Sequence, residues 1–167
     1  MDAFWINIQE KFDRKTLKMG NGKGCIEWTG HRKGNSGYGI QVVKWPGGEE
    51  KREAAHRLAY MIRHRVTRYD MPRVDENNNR VECSHICHNT VCVNADHIVL
   101  EPHAINQDRL HCKNQGLCSK CHKPYCLICN LLIKMLLSHR NRFSPFVFNI
   151  RMVIVLSQSL KFAFGIE

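Results

Sequence analysis

Apolar side chains recur at Phe4, Ile8 and Phe12, four residues apart, behind an Asp2 of the kind that caps helices. The spacing predicts a basic amphipathic first helix, ended by Gly20, Gly22 and Gly24. From Cys25 the pattern shortens. CIEWT and YGIQVVKW are β-prone runs, separated by a Gly/Asn/Ser-rich turn and closed by Pro46, Gly47 and Gly48, and they predict a small antiparallel sheet. Ala55, Leu58, Ala59, Ile62 and Val66 return to the 3.6-residue period and predict a helix packed on that sheet, with Arg57, Arg63 and Arg65 on its other faces. Residues 69–80 are polar, with a Pro and three consecutive Asn, and read as a loop. Next come a strand from Val81 to His85, a long cysteine-bearing loop, a strand from Ile98 to Leu100, and a helix with Pro102 in its first turn running to about Cys112. Residues 113–129 have little periodicity and need a metal for order. No repeat is found. The expected class is α+β in three segments: a basic helix and linker (1–24), a zinc-stabilised domain (25–129) and an apolar tail (130–167).

Composition sharpens this. Lys and Arg number 25 against 15 Asp and Glu, a net charge of +10, so an anionic polymer is the first partner to consider. A hydrophobic share of 43% excludes a wholly disordered chain, and no uncharged apolar run reaches the length of a membrane span. The opening residues carry no basic segment followed by an apolar core. The expected location is therefore intracellular, nuclear in a eukaryotic host, and the nine Cys and ten His read as metal ligands before disulfides. Eight of those nine Cys lie between Cys83 and Cys129, a segment with balanced charge between two basic arms.

Within that segment Cys87 and Cys92 are separated by four residues, and so are Cys92 and His97, spacings that let a short loop close round a tetrahedral ion. A fourth ligand must come from elsewhere, and Cys25 is the only Cys outside the cluster. His85 precedes the first loop ligand by two residues, so a pinned loop would hold its imidazole where a general base is needed. Asn106 follows His97 by nine residues, and its amide oxygen suits a hard Mg²⁺ ion. Taken singly, His85 is an ordinary polar loop residue and Asn106 an ordinary helix-surface amide. Their placement around the loop gives them weight. Arg32, Lys33, Gln41 and Lys44 lie on the first sheet, where a two-stranded ribbon would direct Gln41 or Lys44 to base edges, although a charged strand face is usually just solvated.

The run His85-x-Cys87-x4-Cys92-x-Asn94-x2-His97, followed by Asn106 and Arg109, resembles the His-Cys box homing endonucleases of the His-Me finger, HNH-related superfamily. Cys25-Ile-Glu-Trp28-Thr-Gly30, Tyr38-Gly39 and His56-Arg57-Leu-Ala-Tyr60 are similar to segments preceding the motif in HNH-type nucleases. The resemblance covers about residues 25–126. It implies a ββα-metal fold that cuts double-stranded DNA, with a first structural zinc on Cys25, Cys87, Cys92 and His97. It also implies His85 as the activator of water and Asn106 as the holder of the catalytic divalent ion, Mg²⁺. A second structural zinc falls to Cys112, Cys118 and Cys126, with Cys121 favoured as the fourth ligand over His122 and Cys129. The family's phosphate-contacting basic residue does not align cleanly; Lys51 and Arg52 are candidates, and Arg109, one turn beyond Asn106, is expected either to contact a neighbouring phosphate or to be a solvated helix arginine. Family members can dimerise through C-terminal segments, which would cover the apolar tail, and no membrane partner is expected. The competing expectations are a non-catalytic zinc-stabilised DNA-binding module and a decayed mobile-element protein.

Overall fold

The structure is a computed structural model, and it describes residues 2–19, 24–115 and 122–127, all within one compact unit, Met1–Asn130. Helix α1 spans Asp2–Asp13 and buries Trp5, Ile8 and Phe12. It stops well before the glycines. Gln9 Nε2 donates to the Asp13 carboxylate at 2.8 Å, the Thr16 hydroxyl donates to the Asp13 carbonyl at 3.0 Å, and the chain turns into a strand. Strand β1 (Thr16–Lys18) pairs antiparallel with β2 (Ile26–Trp28), so pairing between strands overrides the helical pattern there.

The single expected sheet is in fact separate hairpins. Strand β3 (Ile40–Lys44) pairs with β4 (Glu50–Ala54), a run of composition EKREA that carries no hydrophobic signal of its own. The alternation survives in burial: Gln41, Val43 and Glu53 are buried, whereas Val42, Lys44 and Arg52 are exposed. Gly39 lies where the chain crosses Trp28, and a Cβ there would stand 2.4 Å from Trp28 Cδ1, so only glycine fits.

Helix α2 (Ala55–His64) follows β4 directly and buries Ala55, Leu58, Ala59, Met61 and Ile62. With Trp5, Trp28 and Trp45 these form the core, to which Val93 of the cysteine-bearing loop and Ile98 just after it also contribute. Each indole removes an area worth roughly 4–6 kcal/mol from water before entropy is counted. A core of this kind holds the N-terminal helix, the hairpins and the cysteine-bearing loop as one unit.

Strands β5 (Val81–His85) and β6 (Ile98–Pro102) pair antiparallel from Val81↔Pro102 to His85↔Ile98. Pro102 closes β6, and helix α3 begins one residue later, at His103–Gln115, its first amide donating to the Arg80 carbonyl at 2.7 Å. What fixes α3 against the hairpin is Arg109. It is 0% exposed, donates to Glu101 Oε1 at 2.7 Å and to the Ser84 hydroxyl at 2.9 Å, and closes a second bond to Glu101 Oε2. This overturns its expected place at a DNA phosphate: no surface of it reaches solvent. Replacing Arg109 by Met should lower stability by about 3–5 kcal/mol in denaturant unfolding of the zinc-loaded protein, because Glu101 would be left buried and unpaired. A double variant, Arg109→Met with Glu101→Leu, should recover much of the loss.

Candidate metal centre and active site

Cys25 arrives from the residue before β2, Cys87 and Cys92 from the loop after β5, and His97 from the last position of a 3₁₀ turn, Ala95–His97. Their ligand atoms lie within 4.8 Å of one another, and all four side chains are buried. His97 Nδ1 is 3.7 Å from Cys25 Sγ and 3.5 Å from Cys92 Sγ. With Zn–S near 2.3 Å and Zn–N near 2.05 Å, a tetrahedral S–N edge is about 3.6 Å, so these residues fit zinc. The electrostatics agree. Hydrogen bonding from the Cys87 thiol brings Cys92 down to about 4, while the same bond and burial push Cys87 up, and burial pushes Cys25 up. The cluster on its own thus favours one thiolate, and a dication is what would ionise the others.

The loop that carries these ligands is braced locally. Asn94 Oδ1 accepts from the Asp96 amide at 3.0 Å while its Nδ2 donates to the Gly24 carbonyl at 2.7 Å, tying the turn before His97 to the residue beside Cys25. The Val93 amide donates to the Ile26 carbonyl at 2.7 Å, and the Trp28 amide to the Val91 carbonyl at 2.9 Å. Strand β2 therefore supports the far side of the metal loop.

His85 ends β5, and its Nε2 lies 2.8 Å from the carbonyl of Cys92. A carbonyl only accepts, so Nε2 carries the proton and the neutral ring keeps its lone pair on Nδ1. Burial lowers the imidazole below its ordinary value, partly opposed by the bond to Cys92. Its ring lies 4.8 Å from that of His56 on α2 and 5.9 Å from that of Tyr38. His56 is held down to about 3 by burial, then by the charges of His85 and Arg57, so it is neutral at physiological pH.

Glu82 and Ser84, earlier in β5, meet α3. Asn106 Nδ2 donates to Glu82 Oε1 at 2.6 Å, and Arg109 to Ser84. The Tyr38 ring stacks on His85, and burial, then the Glu82 charge, raise its phenol. No role had been given to Glu82, Tyr38 or His56. The signal for Glu82 was present: residues two apart on a strand and three apart on a helix each share a face, which matches 82 and 84 to 106 and 109.

Of the other expected site residues, Lys44 and Arg52 share the exposed face of the β3–β4 ribbon, Lys51 lies on its opposite face, paired with Glu49 at 2.6 Å, and Lys33 is exposed. Arg32 is exposed too, but one of its amino groups donates to the Trp28 carbonyl at 2.9 Å. Gln41 is not available to DNA, being buried and accepting from Lys15 Nζ at 2.7 Å. A cleft of about 800 Å³ beside the ribbon is lined by Lys51, Arg57, Arg68, Arg73 and Arg80 and reaches Glu82. Cys112 and Cys126 are buried and pack together, and His122 is 2% exposed. Cys118, Cys121 and Cys129 lie outside the described residues, as does the tail from residue 130 on, with its expected dimerisation.

The hairpins and the Cys₃His cluster define a small zinc-binding α+β domain. Residues 24–140 match the zinc-binding loop region of homing endonucleases, and the chain belongs to that family. No curated protein matches the chain. Among the described residues, no helix is long and apolar enough to cross a membrane.

Proposed function

We propose that this chain is a metal-dependent DNA endonuclease. The observation that carries the reading is the bond from His85 Nε2 to the carbonyl of Cys92, a residue of the zinc cluster, which fixes the ring and leaves Nδ1 as the basic nitrogen. Water bound at Nδ1 gives up its proton there as its oxygen attacks the scissile phosphorus in line with the departing 3′ oxygen. The amide of Asn106 would hold a hard divalent ion, which when bound would supply Lewis-acid stabilisation of the charge that develops in the attack. The Asn106 amide nitrogen donates to Glu82 Oε1 at 2.6 Å, which supports the amide oxygen as the atom that would take the ion. Lys44 and Arg52 on the ribbon, with Lys33 and Arg32 beyond it, would meet the duplex, and the arginine cleft, with Lys51, would take the phosphate backbone as it leaves the site. A second zinc is proposed on Cys112, Cys118 and Cys126, with Cys121 or His122 as its fourth ligand; the burial of His122 supports the imidazole.

Supercoiled plasmid incubated with the purified protein and Mg²⁺ should be nicked or linearised, and EDTA should stop the reaction. A protein that binds the plasmid and retains zinc but leaves it intact under every divalent ion tried would be a non-catalytic zinc module instead. The pH profile gives a sharper test. Protonated His85 cannot accept a proton, so the rate is lost as pH falls through its pKa in the folded protein. Because burial depresses that pKa, the acid limb should lie below the ordinary imidazole value of 6.5. A limb at or above 6.5, with zinc content unchanged, would assign the titration to another group.

A further inference from the structure

Beside Asn106 stand Glu82 of β5 and His103, the first residue of α3. Glu82 Oε1 is 2.6 Å from the Asn106 amide nitrogen and 3.1 Å from His103 Nδ1. Adjacent ligand atoms on an octahedral ion with bonds of 2.0–2.1 Å stand about 2.9 Å apart, and the distances from Glu82 to each of its two neighbours bracket that value. His103 Nδ1 is shielded from solvent, and its 3.1 Å approach to Glu82 is an ion pair only when the ring is protonated; a neutral ring with its lone pair on Nδ1 presents a ligand atom beside the carboxylate. A half-turn of the Asn106 amide exchanges its nitrogen and oxygen, presenting an acceptor beside the carboxylate. Arg80, largely exposed, stands 3.5 Å from Glu82 Oε2 and offsets the carboxylate charge without occupying Oε1.

We infer that Glu82 and His103 join Asn106 as ligands of the divalent ion, so that the site is a mixed carboxylate, imidazole and amide set. This rests on the reading of Asn106 as the metal-holding residue and extends it. Two consequences separate the set from a single amide oxygen. Three protein ligands hold an ion without DNA, whereas one neutral oxygen needs phosphate to complete the shell. An imidazole nitrogen also shifts preference from Ca²⁺ and Mg²⁺ toward Mn²⁺.

The test is Mn²⁺ binding to the full zinc-loaded chain without DNA, followed by electron paramagnetic resonance, with zinc content measured alongside. Wild-type protein should take up one Mn²⁺ beyond its zinc. Glu82→Gln and His103→Ala should each weaken this by at least about tenfold, and His103→Ala should weaken Ca²⁺, measured by displacement of Mn²⁺, much less. Wild-type Mn²⁺ affinity in both variants, with loss in Asn106→Ala, would overturn the inference and leave the Asn106 reading standing. Unchanged affinity in all three variants would remove both. Absence of any Mn²⁺ uptake without DNA would also overturn the inference, and an Mg²⁺ response of cleavage that depends on Asn106 would then preserve the simpler site. His103 is partly exposed, so its variant keeps the test decisive where Glu82→Gln fails to fold.

Discussion

Alanine at His85 is expected to lower plasmid cleavage by a factor of about 10² to 10⁴, the usual contribution of a positioned general base, while DNA binding and zinc content stay close to wild type. His85 is not one of the four clustered ligands, and the one hydrogen bond of its side chain among the described residues is to a carbonyl, so its removal leaves the metal loop with every thiol and imidazole in place. Single-turnover rates at saturating protein, beside a gel-shift titration and zinc analysis, measure the three quantities separately. Cutting at the wild-type rate would end the base assignment. The neighbouring control needs care: His88 has φ +57°, a left-handed backbone that a Cβ strains and Asn accepts best, so His88→Asn is the substitution to compare. It should cut normally.

Serine at Cys87 should have the larger structural effect. It leaves two thiols and one imidazole for the ion, and structural zinc contributes an apparent 10–16 kcal/mol in small domains, comparable to or larger than the whole stability of a typical fold. The expected result is loss of zinc, loss of cooperative unfolding and loss of cleavage in the same preparation. Circular dichroism with and without added zinc provides the readout. A variant that stays folded and retains zinc with normal stoichiometry would show that Cys87 is not needed as a ligand.

The metal cluster was legible in the sequence because its chemistry is written in residue type and short spacing. Cys87, Cys92 and His97 fall in one loop, and Cys25 was found by being the one cysteine left over. Helix α2 was equally plain, since the period through Leu58 and Ile62 buries one face; strand β5 was read at its observed bounds although Ser84 and His85, adjacent at its end, are both buried. Strand β4 was not, because Glu50, Lys51 and Arg52 are exposed and its hydrogen bonds, not its side chains, define it. Strand β1 was hidden for the same reason. Arg109 was misread because a helix arginine looks the same in sequence whether it faces phosphate or a buried Glu101; only the closing of α3 on the hairpin distinguishes them. The family match covers the loop that spacing had already singled out, and thus bears on the scaffold more directly than on the base and the divalent ion.

The cluster also has a kinetic meaning. Cys25 and His97 are 72 residues apart, and the segment between them contains both strands of the β3–β4 ribbon and all of α2. Tying chain points so far apart restricts the unfolded ensemble by about 4 kcal/mol if the ion acts as a disulfide-like cross-link. The same separation makes closure late, since the ends meet only after the intervening hairpin and helix have condensed. A truncated chain that begins after β2 would carry the whole β5–β6–α3 unit and yet lack Cys25, which completes the cluster. The β5–β6–α3 half of the domain therefore depends for its assembly on a cysteine made long before it, and zinc retention should appear in refolding only when the two distant parts of the chain have met.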